Sequence, residues 1–149
     1  MYRLFIDTHG RDLIIALYND DIVVDKLVKL SERNHSDYAM PMIKEILDKN
    51  NLNVHNLGEI LVINGPGSFT GVRLGVTIAK TLAYTLNIPI KAMSSIDAYA
   101  ISDSSLDEKV VLIRDVKGVF AGVYKNNELV YKYFLDVFKI SNFIWKKFF

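Results

Sequence analysis

Asn64-Gly65-Pro66-Gly67-Ser68-Phe69-Thr70-Gly71-Val72-Arg73 follows the apolar run Ile60-Leu61-Val62-Ile63 and precedes a long apolar segment. That order reads as strand, glycine-rich turn and helix. Such a turn aims the free N–H groups of a helix N-terminus at one point, where an anion can sit. Gly65, Gly67, Ser68 and Thr70 are therefore the candidate anion-binding turn. The known phosphate loops do not match it. A Walker A loop needs Lys and Ser/Thr directly after its last glycine, and no glycine here has that sequel. A dinucleotide loop opening at Gly65 needs a third glycine where Thr70 stands. The residues alone leave both readings open, a tight structural connection and an anion site.

Upstream, Tyr2 to Asp7, Leu13 to Tyr18 and Ile22 to Leu30 read as three strands, with turns at Thr8–Arg11 and at Asn19-Asp20-Asp21. Consecutive strands of this kind form an antiparallel meander. Apolar spacing then predicts a helix over about Ser36 to Lys49. Pro41 either stands in its first turn, with the regular helix starting near Met40, or kinks it. Leu57 to Ile63 is the fourth strand, Thr70 to Leu86 the second helix, Ile90 to Met93 a short strand, and Ser95 to Ile101 a short helix. The polar stretch Ser102 to Glu108 is the linker candidate. Val110 to Ile113, Val119 to Tyr124 and Leu129 to Phe138 read as strands, with Asn126-Asn127 as a turn. The order β-β-β-α-β-α-β-α fits one ribonuclease-H-like lobe of an actin/Hsp70-type α/β fold.

The bulk composition narrows the function. A chain of 149 residues suits one compact domain or a domain with an appendage. Lys and Arg total 18 against 17 Asp and Glu, which gives no general attraction to nucleic acid. The chain has no cysteine, so disulfides and thiolate chemistry are excluded. The opening residues do not read as a signal peptide, and no apolar stretch reaches membrane-spanning length. The expectation is a cytoplasmic protein with no membrane contact.

Asp7 ends the first strand, where a carboxylate can hold a divalent cation, but the fourth strand ends in Asn64-Gly65 and offers no second acid. Asp7 reads equally as the cap of its own turn. His35 is followed four residues later by Ala39, so the helical histidine pair of a metal site is absent, and no metal is expected. Ser68 and Thr70 lack a nucleophile elbow and read as helix caps, so no catalytic residue is assigned. Gly71, Gly75, Ala79 and Ala83 recur every four residues and form one smooth stripe, which lets another backbone come close. That stripe serves either an internal packing contact or a partner.

Gly65-Pro66-Gly67-Ser68-Phe69-Thr70-Gly71-Val72-Arg73 resembles the signature of the TsaB (YeaZ) family, the non-catalytic subunits of the bacterial machinery that makes threonylcarbamoyladenosine in tRNA. Leu4-Phe5-Ile6-Asp7-Thr8 is similar to that family's opening strand. Arg33-Asn34-His35-Ser36 with Met40-Pro41-Met42-Ile43 resembles its first helix, and Ile88-Pro89-Ile90 with Ser94-Ser95-Ile96 the segment after its second. The similarity covers residues 1–100 and fades afterwards. It implies an actin-like (ASKHA) fold, with a full ribonuclease-H-like lobe over 1–101 and a shortened second lobe over 102–149. It also implies a scaffold without cofactors that binds a TsaD-like transferase, is joined by a TsaE-like ATPase, is either a monomer or a homodimer when alone, and meets tRNA only through the complex. Tyr38, Met42, Gly71, Gly75 and Ala79 would then lie at or beside the partner interface.

Two departures accompany the resemblance. His9 stands where relatives commonly carry a second hydroxyl residue, and Ile113-Arg114-Asp115-Val116-Lys117-Gly118 only loosely resembles the corresponding family segment. The alternative class is a nucleotide- or metal-dependent enzyme, a phosphotransferase or nuclease, with Asp7, Thr8, Gly67 and Ser68 as its site.

Overall fold

The structure is a computed structural model that describes residues 1–30, 34–102, 105–115 and 117–136. Its chain divides into two compact units, Met1–Met93 and Ser94–Phe149. The first unit holds strands β1 (Tyr2–Asp7), β2 (Asp12–Asn19), β3 (Ile22–Leu30), β4 (Leu57–Ile63) and β5 (Ile90–Met93), with helices α1 (His35–Lys49) and α2 (Phe69–Leu86). The second holds α3 (Ser95–Ser102) and strands β6 (Glu108–Arg114), β7 (Gly118–Lys125) and β8 (Glu128–Asp136).

The five-stranded sheet runs β3-β2-β1-β4-β5. β1, β2 and β3 are antiparallel, while β1, β4 and β5 are parallel. This is the ribonuclease-H-like order expected from the sequence. Leu4 and Ile6 of β1 lie beside Leu17 and Ile15 of β2 and beside Ile60 and Val62 of β4, so one sheet face is continuously apolar. Ala39, Met42, Ile43, Ile46 and Leu47 of α1 and Ala79 and Ala83 of α2 close that face into the core. Each fully buried Leu or Ile there stabilises the unit by about 1.5–3 kcal/mol relative to exposure.

α1 starts earlier than Met40, at His35, and carries Pro41 inside it. Pro41 has no N–H to give to the carbonyl of Asp37. Both residues are exposed, so water can take that carbonyl and the helix continues. α2 ends where Asn87 takes the left-handed conformation (φ 52°) and the Ile88 N–H reaches back to the Ala83 carbonyl at 3.0 Å. Pro89 then prevents continuation.

α3 belongs with the second unit rather than with the first lobe's span of 1–101. Its Ile96 and Ala100 pack with Ile113 and Tyr124, against Val111 and Phe120. The Tyr124 hydroxyl donates to Asp97 at 2.5 Å near the start of α3, and the buried Lys109 ammonium donates to the Ala100 carbonyl at 2.7 Å near its end. Burial and the Asp97 carboxylate push the Tyr124 hydroxyl well above its ordinary pKa. The polar stretch Ser102–Glu108 accordingly joins two elements of one unit. In the second unit the sheet order is β6-β7-β8, all antiparallel. Asn126 and Asn127, both at positive φ, make its second hairpin. The aromatic stretch Ile140–Phe149 and Arg33 lie outside the described residues.

Candidate functional site: the glycine turn and the outer helix faces

The C-terminal end of β1, the central strand, delivers Asp7, Thr8 and His9 to the start of α2, and all three are buried. Asp7 Oδ1 accepts the His9 backbone N–H at 3.0 Å and lies 2.6 Å from His9 Nδ1. The carboxylate therefore closes its own turn and has the His9 ring nitrogen as a second partner. His35 Nε2 donates to the Gly10 carbonyl at 3.0 Å, tying the start of α1 to the same turn. Among the described residues, no group of three or more His, Asp or Glu side chains comes together in a metal-binding arrangement.

The glycine turn packs on this clasp. Gly65 holds φ +94°, which only glycine adopts readily, and the Gly65–Pro66 bond is cis. A side chain on Gly67 would begin 2.6 Å from the His9 carbonyl oxygen. The Ser68 N–H donates to that carbonyl at 2.8 Å. Ser68 caps α2, its hydroxyl accepting the Gly71 N–H at 3.2 Å, and its carbonyl takes the Val72 N–H at 2.8 Å. The Ser68 N–H of the candidate anion turn is thus committed to a protein acceptor, as are the Gly71 and Val72 N–H groups of the helix that follows. Thr70 stands exposed in the first helical turn, and the cap is Ser68 alone.

The small-residue stripe faces inward. Gly71, Gly75, Ala79 and Ala83 are the buried residues of α2. A methyl group on Gly71 would stand 2.0 Å from the Thr8 carbonyl oxygen, and one on Gly75 would stand 2.3 Å from the Thr8 hydroxyl. Thr8 Oγ1 donates to the Gly71 carbonyl at 2.6 Å. The stripe therefore exists to bring α2 onto β1. Met42 is also in the core, so of Tyr38, Met42, Gly71, Gly75 and Ala79 only Tyr38 offers its side chain to the surface.

What α2 presents outward is the opposite stripe. Phe69 is 71% exposed and Tyr84 90%, with exposed Arg73 and Thr77 between them. The Arg73 guanidinium lies 4.6 Å from the Phe69 ring centre. Phe69, Thr70, Arg73, Leu74 and Thr77 line a shallow open groove. On α1, Tyr38 and Met40 are exposed, and the Lys29 ammonium lies 4.0 Å above the Tyr38 ring. Sequence reasoning followed the glycines and missed this stripe. The recurrence of Phe69, Arg73 and Thr77 every fourth residue, on the far side of the helix from Gly71 and Gly75, was the available signal. No described helix is long and apolar enough to cross a membrane.

A family model described as "TsaD: tRNA N6-adenosine threonylcarbamoyltransferase" matches residues 28–130. The tRNA threonylcarbamoyladenosine biosynthesis protein TsaB of Bacillus subtilis (strain 168) is 40% identical over 127 residues, which is 84% of this chain and 56% of that protein. TsaB of Escherichia coli (strain K12) is 34% identical over 96 residues, 64% of this chain and 41% of its own length. The chain thus spans about half the length of these curated relatives. The solved structure of YeaZ from Pseudomonas aeruginosa superposes with a TM-score of 0.79 at 23% identity, covering 91% of this chain and 67% of that one, and shares its fold. The chain belongs to the TsaD family of threonylcarbamoyltransferase-type proteins, in its TsaB (YeaZ) branch.

Proposed function

We propose that this chain acts as a non-catalytic scaffold in the synthesis of threonylcarbamoyladenosine at position 37 of tRNA. It binds a TsaD-like transferase and stabilises that partner's competent state. A TsaE-like ATPase joins the pair, tRNA is met only through the complex, and the chain alone is either a monomer or a homodimer. The contribution is a coupling free energy across an interface, not a bond-breaking step.

The observation that carries this reading is the outer face of α2. Two large aromatic side chains, Phe69 and Tyr84, stand almost free of the fold that holds them, with Arg73 between. Exposed aromatic and arginine side chains on a rigid helix are the groups that dominate protein interfaces. α1 adds Tyr38 and Met40. The inward stripe serves the same end, since Gly71 and Gly75 fix α2 on β1 and so fix where its outer face points. Inside the fold, Asp7 is occupied by His9, and the donors of Ser68, Gly71 and Val72 are occupied by backbone or cap acceptors, which supports a structural glycine turn.

Light scattering on a sizing column tests the reading, with the chain alone and mixed with its cognate TsaD-like protein. A one-to-one complex that replaces the free species supports it. Absence of any complex at micromolar concentrations, with both proteins folded, refutes it.

A further inference from the structure

A stripe of exposed side chains runs the length of α2: Phe69, Arg73, Thr77, Lys80 and Tyr84, spaced by three or four residues. Its order is aromatic, cation, threonine, cation, aromatic. Thr70, Thr81 and Thr85, the other exposed side chains of the helix, are uncharged, and none of its 18 residues is acidic. Among the described residues, neither Arg73 nor Lys80 forms an ion pair. α1 is built differently, since Lys44 meets Asp48 at 3.0 Å and Lys49 meets Asp25 at 3.0 Å.

Arg73 is also held in place. Its guanidinium lies 4.6 Å from the Phe69 ring centre, and both residues line the shallow groove with Thr70, Leu74 and Thr77. A planar guanidinium offers paired N–H donors that match a carboxylate. The groove thus sets an aromatic ring, an aliphatic side chain and a cation without a counter-charge side by side. A second copy of the chain suits this stripe poorly. Laid antiparallel about Thr77, it would bring Arg73 of one chain towards Lys80 of the other, and like charges with no acid between them repel.

We propose, resting on the scaffold reading, that this stripe seats an acidic surface of the TsaD-like partner, with carboxylates opposite Arg73 and Lys80 and apolar groups against Phe69 and Tyr84. The two cations set the rate of association and the choice of partner over a second copy, while the aromatics set how long the complex lasts.

Biolayer interferometry of the full chain with its cognate TsaD-like protein, at low and at high sodium chloride, tests this. The association rate should fall several-fold as salt rises. Arg73→Glu should slow association by about tenfold and weaken its dependence on salt, and Lys80→Glu should act in the same direction. Arg73→Lys keeps the charge and should keep the salt dependence. Arg73 and Lys80 are both exposed, so the far-ultraviolet dichroism should stay unchanged and a slower rate reads binding rather than folding. An association rate indifferent to salt, or one that Arg73→Glu and Lys80→Glu leave unchanged in folded chains, overturns the proposal and leaves the scaffold reading standing. A dimer of the chain alone that Tyr84→Ala dissolves also overturns it, because a second copy would then occupy the stripe. Absence of any complex with the unsubstituted chain overturns the scaffold reading itself, and the proposal with it.

Discussion

The Thr8 hydroxyl donates to the Gly71 carbonyl at 2.6 Å, and the Thr8 carbonyl oxygen stands where a Gly71 side chain would begin. One strand end and one helix turn thus hold each other through two groups of a single residue. In an isolated helix, glycine is worse than alanine by about 1 kcal/mol. At this site the order reverses, because the obstructing atom is backbone and cannot rotate away. Gly71→Ala should destabilise the first unit by about 2–3 kcal/mol. Thr77→Ala, on the exposed face of the same helix, should be neutral or slightly stabilising. Urea unfolding of the two variants side by side checks the contrast.

The outer stripe of α2 should separate binding from folding. Tyr84→Ala and Phe69→Ala remove side chains that are 90% and 71% exposed, so each should change stability by no more than about 0.5 kcal/mol. If these aromatics anchor the partner, each should weaken a complex with a TsaD-like protein by about 2 kcal/mol, roughly thirty-fold in Kd. Calorimetric titration of both variants measures it, and unchanged affinity in both would move the interface off this helix.

Asn87 ends α2 in the left-handed region, at φ 52°. Asn87→Gly should hold or raise stability, and Asn87→Ala should lower it by about 1 kcal/mol. Opposite signs from two small substitutions would locate the effect in the backbone, and thermal melts resolve them.

Tyr124 contributes an alkaline pH dependence to the second unit. Its hydroxyl, buried and bonded to Asp97, keeps its proton above its ordinary pKa of 10.0. The folded-state value is raised, so this contribution is fully present below pH 10 and is lost as pH climbs towards the folded value. Tyr124→Phe should cost about 1 kcal/mol near neutrality, from the lost hydrogen bond, and should flatten the alkaline fall. Chemical unfolding at a series of alkaline pH values compares the two slopes.

Much of the fold was legible because the first unit is built from strong local signals. Alternating or continuous apolar runs marked β1 to β5, and Pro89 after Asn87-Ile88 marked the end of α2. The ambiguities arose where a residue's role depends on a distant partner. A glycine stripe fits any close neighbour, and only the parallel pairing of β1 with β4 brings Thr8 beneath Gly71 and Gly75. α3 is short, with apolar residues on more than one side, so its composition could not say which sheet it covers. Tyr124 and Lys109, both later in sequence, decide that. Pro41 argued for a later start to α1 or for a kink, yet α1 begins at His35 and carries Pro41 inside it, where both Pro41 and Asp37 are exposed.

The strand order β3-β2-β1-β4-β5 also has a kinetic reading. β1 sits in the middle of the sheet. Its pairing with β2 closes a tight turn, whereas its pairing with β4 waits for Leu57–Ile63. Chain-closure entropy grows with the length of the loop, so the meander should assemble first and the parallel half later. Pulse-labelled hydrogen exchange during refolding would then protect the amide of Ile15 ahead of that of Val62. The clasp between Thr8 and Gly71 would form only in that second phase, making the outer face of α2 the last part of the unit to acquire its final direction.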